Sequence, residues 1–309
     1  MNKIFIYTFY RFIKIIDKNK LKKEIDNFLS EKSVRGTILL ADEGINGSIS
    51  SDKENLDKLV LFIKKKINVR KLEIKINNSD FVPFNRMKVR TKKEIVTLGK
   101  ADLKVEKLYA KKIHPKYWDK IVKSKKTVLI DVRNKFEIKI GKFKNSINPN
   151  TDSFRDFPKF VSRLKIEKNA KIAMYCTGGI RCEKASAYLK TKGYKNTLQL
   201  KGGIIEYLKY NSENKKNSLW DGECFVFDNR VAVNKKLAKG KYTQCFGCRR
   251  PLTKKDVRSY TYKKGIHCPY CINERSEKQI KSSESRQSQI NIYNKKNIDH
   301  VFKKIKNID

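Results

Sequence analysis

The sequence predicts a multidomain chain of mixed α/β and α+β class that ends in a small cysteine-rich region. Three observations carry this. Residues 1–95 alternate short strand-like and helix-like segments. From residue 114, continuous apolar runs alternate with amphipathic stretches, the pattern of a parallel sheet covered by helices. Four of the seven cysteines fall into two Cys-x-x-Cys pairs near the end. The 309 residues suit two or three domains, at roughly 100–150 residues each.

In chain order, residues 4–9 read as a strand, and Leu21, Ile25, Phe28 and Leu29 share one face of a helix over 18–31. Residues 37–41 are a short apolar run. Residues 42–47 carry turn chemistry, and the chain returns as a strand at 48–50. Asp52 caps a second helix with Leu56, Leu59, Val60 and Ile63 on one face. Residues 71–76 alternate as a strand. Strand, helix, hairpin, helix, strand is the order of a ferredoxin-like α+β domain.

Residues 83–105 connect this unit to the next and carry Arg86, Lys88, Arg90, Lys92 and Lys93 among apolar residues. The stretch fits an exposed strand with a solvated face, or an RNA-contacting surface built on Arg86, Lys88 and Arg90. The second domain opens near His114. Its buried strands are expected at 127–132, at 170–175 and at 196–200, with a helix over 183–191. The expected division is 1–95, a linker at 96–113, a domain at 114–215, a cysteine-rich region at 216–275 and a polar basic tail at 276–309, partly disordered for lack of core periodicity.

Lys plus Arg number 73 against 32 Asp plus Glu, a formal charge of +41. Two causes predict the same charge. One is compositional drift toward Lys, Asn and Ile, since 15 Arg stand against 58 Lys. The other is attraction to a polyanion such as RNA. No apolar run reaches the ~18 residues of a membrane-spanning helix, and the start of the chain reads as a strand, not an export signal. The expected setting is the reducing cytoplasm, where paired cysteines mean metal ligation or thiol chemistry.

The most informative segment is Cys176, Thr177, Gly178, Gly179, Ile180, Arg181 and Cys182, placed between a buried strand and a helix. Such a loop turns successive N–H groups inward, and the helix start adds partial positive charge. With Arg181 beside it, Cys176 is expected to be a low-pKa thiolate and hence a nucleophile. Four residues separate Cys176 from Arg181. Thiol phosphatases use five, so the tighter loop suits sulfur handling, including a persulfide on Cys176. Cys182 is read either as a resolving thiol or as a small buried residue. Cys224 alternates like a strand core.

Cys245-x-x-Cys248 and Cys268-x-x-Cys271 have zinc-ribbon spacing, which predicts a closed four-thiolate structural zinc site. The three histidines, His114, His267 and His300, lack the spacing of an iron centre. Lys201-Gly202-Gly203 is too short for a flavin or nicotinamide fingerprint, and no haem site is evident.

Residues 115–215 resemble a rhodanese domain through Asp131-Val132-Arg133-Asn134, Glu137 and the Cys-x-x-Gly-x-Arg loop. Ala41-Asp42-Glu43-Gly44-Ile45-Asn46-Gly47, Ile147-Asn148-Pro149-Asn150-Thr151, Phe154-Arg155-Asp156-Phe157-Pro158 and the loop together resemble the rhodanese-related tRNA uridine hydroxylases over about residues 1–275. The resemblance implies oxygen-dependent hydroxylation of carbon 5 of the wobble uridine, with Cys176 catalytic, tRNA as partner and dioxygen as co-substrate; it names no electron donor. The rhodanese loop alone would also fit a sulfurtransferase or persulfide carrier, and the charge alone an RNA-binding protein without catalysis. An intact Cys176 and Arg181 argue against the last.

Overall fold

The structure, a computed structural model, describes residues 4–296. His300 and Lys303, and the tail beyond 296, lie outside the described residues.

The first domain contains β1 (Ile4–Phe12), α1 (Lys18–Leu29), β2 (Arg35–Ala41), β3 (Gly44–Ser51), α2 (Lys53–Lys66), β4 (Ile74–Ser79) and β5 (Met87–Thr91). The sheet order is β4-β1-β3-β2-β5. The first four strands keep the ferredoxin-like arrangement, and β5 adds an edge parallel to β2. Asp17 and Asp52 start the helices by accepting from the N–H groups of Asn19, Lys20 and Asn55. Both helices cover one sheet face, where Tyr7, Phe9, Ile38, Leu40, Ile45 and Ile49 meet Leu21, Ile25, Leu56 and Ile63. Strand alternation gives the other face to polar residues. A row runs across all five strands in register: Lys75, Thr8, Ser48, Thr37, Lys88.

The hairpin turn is tighter than residues 42–47 suggest: only Asp42 and Glu43 turn, and Gly44 already pairs in β3. Gly44 serves strand approach there. Its φ is +146°, and a Cβ would lie 2.1 Å from the Arg11 carbonyl oxygen. The fourth strand also sits later than 71–76, and the basic stretch at 83–105 contains strand β5 of this domain.

The second domain follows through α3 (Val105–Leu108), β6 (Lys111–Ile113), α4 (Pro115–Val122), β7 (Thr127–Asp131), α5 (Lys135–Lys139), β8 (Gly141–Phe143), α6 (Phe157–Ser162), β9 (Lys171–Tyr175), α7 (Ile180–Thr191), β10 (Thr197–Leu200) and α8 (Gly203–Glu213). The parallel sheet runs β6-β10-β9-β7. Strand β6 lies inside the expected linker. One sheet face packs on α4 and α8 through Trp118, Ile204, Tyr207 and Leu208; the other packs on α6 and α7 through Phe157, Val161, Ala185 and Leu189.

The remainder holds short pairs: β11 (Trp220–Gly222) with β8, β12 (Cys224–Phe225) with β13 (Ala232–Val233), and β14 (Thr243–Gln244) with β15 (Pro251–Leu252). Then come α9 (Lys254–Arg258) and α10 (Glu277–Lys295). Helix α10 occupies residues the sequence assigns to a partly disordered tail. Ser276 and Gln279 form a capping box at its start, and Arg286 donates to the Gly265 carbonyl at 2.6 Å. The local pattern misses it because α10 buries only Ser283. No helix among the described residues is long and apolar enough to cross a membrane.

Candidate active site

Strand β9 is buried through Tyr175, so Cys176 emerges at its carboxyl end, where open α/β sheets place their ligands. The loop is backed by the start of α8. Ile204 and Ile205 donate to the Cys176 and Thr177 carbonyls at 3.0 and 3.2 Å. Gly203, with φ +71°, makes that approach possible: a Cβ would lie 2.5 Å from the Cys176 carbonyl oxygen.

Cys176 accepts a hydrogen bond from the Gly179 N–H at 3.1 Å. Burial pushes its thiol up. Against that act the Cys182 thiol, the Arg181 charge and the N–H groups of Cys182 and Gly179, which together hold Cys176 at about 6. Cys182 moves the other way, well above the usual thiol range, through burial and the neighbouring Cys176. One sulfur is a thiolate at neutral pH and the other is a thiol that donates to it.

Arg181 is fixed rather than free. Its guanidinium grips Glu137 with two hydrogen bonds, at 2.6 and 2.7 Å. Glu137 is fully buried; burial raises its carboxyl, and the Arg181 pair overrides this and keeps it ionised. Behind it, Arg133 clasps Asp131 at 2.9 and 2.6 Å and donates to the Glu137 and Gly141 carbonyls.

The first domain reaches the same loop. Tyr10 donates to Glu183 in the first turn of α7 at 2.8 Å. Lys75 donates to the Gly178 carbonyl. Lys184, fully buried in α7, pairs with Glu43 at 2.7 Å and with Glu94, and donates to the Val96 carbonyl at 3.2 Å. Glu43 also receives the Ile95 N–H at 2.6 Å. The hairpin turn, the linker and the thiol helix therefore meet at one buried cation.

Between the domains lies a cavity of about 930 Å³. Its walls are the polar sheet face (Thr8, Ser48, Lys75), residues 92–97, the loop from Cys176 to Arg181, and Phe227 with Arg230. Of the loop residues named from sequence, Cys176, Thr177, Gly178, Ile180 and Arg181 line it, and Cys182 is buried behind. Lys88 and Arg90 stand on β5, Arg86 directly precedes it, and none of the three is among the lining residues; Lys92 and Lys93 are. No local motif marks Tyr10, Lys75 or Glu94, and Glu43 stands out in the sequence only as part of the 41–47 motif, with no partner assigned to it.

Cys245, Cys248, Cys268 and Cys271 come together, their sulfurs all within 4.8 Å of one another. Three of the S···S distances are 3.9, 3.8 and 3.7 Å. A tetrahedron with metal–sulfur bonds of about 2.3 Å has edges of about 3.8 Å, so the cluster fits a metal ion of that size. Cys224, in β12, is fully buried.

Fold and site define a rhodanese-type thiol protein carrying a second, acylphosphatase-like domain over its cysteine loop. The rhodanese-like domain profile matches residues 114–210, and the UPF0176 acylphosphatase like domain profile matches residues 4–95. A relative from Pelagibacter ubique (strain HTCC1062), named tRNA uridine(34) hydroxylase, is 43% identical over 300 residues, 97% of this chain and 98% of the relative. Among solved structures, a rhodanese-related protein from Thermoplasma volcanium is 27% identical, covers 32% of this chain and 92% of its own, and gives a TM-score of 0.25. A single-domain sulfurtransferase from Saccharomyces cerevisiae is 24% identical, covers 35% and 96%, and gives 0.30. The chain belongs to the tRNA uridine(34) hydroxylase family.

Proposed function

We propose that the chain hydroxylates carbon 5 of the wobble uridine of tRNA in the cytoplasm, with dioxygen as co-substrate. The observation that carries this reading is the Cys176 thiolate in the wall of a cavity of about 930 Å³ whose facing wall is a second domain. That space suits a nucleotide flipped out of its stack. The name of the Pelagibacter relative points to the same reaction. Cys176 attacks carbon 6 of the uracil ring, which makes carbon 5 electron-rich and ready for an oxygen donor. Glu137 fixes Arg181, and Arg181 keeps the thiolate charged. Arg86, Lys88 and Arg90 hold the RNA backbone outside the cavity.

Cys245, Cys248, Cys268 and Cys271 hold a structural zinc ion, whose closed four-thiolate shell leaves no position for substrate. Its part is to fold the region that carries α9 and the start of α10.

The test is mass spectrometry of tRNA nucleosides from cells with and without the gene. Loss of a 16-dalton addition to uridine supports hydroxylation. Loss of a sulfur substitution would instead make the chain a sulfurtransferase, the reading favoured by the rhodanese loop taken alone.

A further inference from the structure

Four cations are buried among the described residues, and each has a carboxylate: Arg133 with Asp131, Arg181 with Glu137, Lys184 with Glu43 and Glu94, Arg230 with Asp228. Lys75, half-buried, has no such partner. Its side chain leaves β4, passes the Tyr10 ring at 5.3 Å and ends at the Gly178 carbonyl, in the wall of the thiolate cavity. It makes no salt bridge among the described residues. The anions near it, Cys176 first among them, act through space, and its hydrogen bond goes to a neutral carbonyl, so its ammonium has donor capacity for an anion formed in the cavity.

Resting on the proposed uridine chemistry, we propose that Lys75 is a catalytic residue: its ammonium takes the negative charge that reaches a pyrimidine carbonyl oxygen when Cys176 adds to the ring. In that step the sulfur–carbon 6 bond forms. The carbon 5–carbon 6 π pair moves to the carbon 4–carbon 5 position, and the carbon 4 carbonyl pair moves onto oxygen. One unit of charge passes from sulfur to oxygen, and no electrons are gained or lost overall. A cation pre-placed where charge develops acts without reorganising, which makes it effective in a dry site.

The ionisable groups facing Lys75 are Cys176, Glu206, Glu73 and Glu183, with the Tyr10 ring alongside. Burial lowers its pKa and these anions oppose the shift only in part. Lys75 therefore loses its proton below the ordinary lysine value of about 10.4.

The experiment uses full-length protein, an anticodon stem-loop, D2O and no oxidant. Reversible addition of Cys176 with protonation at carbon 5 exchanges the hydrogen there for deuterium, read by mass. Wild type should exchange, with a rate that rises through about pH 6 as Cys176 ionises and falls again as Lys75 deprotonates. Lys75→Met should slow exchange by roughly 10²-fold and lose the falling limb. Lys75→Arg should recover part of the rate and move the falling limb upward. Binding of the stem-loop, and alkylation of Cys176 at pH 8.5 in Lys75→Met, should stay within about threefold, since the thiol is already ionised there. A role limited to propping the loop would instead slow alkylation as much as exchange. Wild-type exchange in Lys75→Met, or no exchange by wild type, overturns the assignment. If exchange depends on Lys75 yet 5-hydroxyuridine never forms, the Lys75 assignment stands and the hydroxylase reading falls.

Discussion

The thiol loop and the four-cysteine cluster use the same side chain to opposite ends. At Cys176 the sulfur is charged by its neighbours and opens on a cavity. At Cys245, Cys248, Cys268 and Cys271 four sulfurs converge within 4.8 Å of one another. Cysteine carries both because its behaviour is set by the surroundings: an N–H cradle and a fixed Arg make a nucleophile, and mutual convergence makes a metal shell.

The largest effect should come from Cys176. Cys176→Ser is expected to cut 5-hydroxyuridine formation by roughly 10³-fold or more, because the hydroxyl is a poor nucleophile at neutral pH. The melting temperature should barely move, and a retained product would break the comparison. Cys245→Ala should do the reverse. The purified wild type is expected to hold about one zinc per chain; the variant should lose it, and proteolysis should then attack 216–296, because metal binding and folding are one free energy. Alkylation of Cys176 in that variant should keep its midpoint near pH 6.

Glu137→Gln asks whether the loop's charge depends on the pair beneath it. Leaving Arg181 buried without its carboxylate should cost about 3–5 kcal/mol by denaturant melts, and should raise the pH at which Cys176 alkylates. Because the native pair depresses the Glu137 carboxyl, its contribution is complete above the unfolded value of about 4.3. It is lost as the pH falls through the lower folded value, so the stability gap between variant and wild type should narrow in acid.

The smallest effect concerns RNA. Neutralising Arg86, Lys88 and Arg90 should weaken tRNA binding and lower the salt slope by up to about one unit per lost phosphate contact. Neutralising Lys295, Lys296 and Lys303 should do less. The opposite ranking in filter binding would move the RNA surface to the tail.

Much of this was legible from local pattern. Alternation indicates the order of the first domain's first four strands, apolar runs indicate β7, β9 and β10 but not β6, and spacing indicates both cysteine groups. Residues 42–47 look like a longer turn than the structure has, because Gly44 reads as turn chemistry although it serves the approach of β1. What sequence could not supply are the long-range partners. Lys75 and Gly178 lie 103 positions apart, Tyr10 and Glu183 lie 173 apart, and Lys184 and Glu43 lie 141 apart. Lys75 and Tyr10 are ordinary residues of their strands, Glu183 and Lys184 of their helix, and Glu43 of its turn, and only the folded arrangement gives them these partners.

The buried Lys184 has a bearing on how such a chain can change through time. Its counter-charges, Glu43 and Glu94, both sit in the other domain, within residues 4–95. The three positions therefore form a single heritable character spread across a domain boundary. A recombination event that exchanged the first domain alone would bring an unmatched charge into a dry interface. Lineages should therefore inherit the two domains together, and any drift at one of the three positions should be answered at the others.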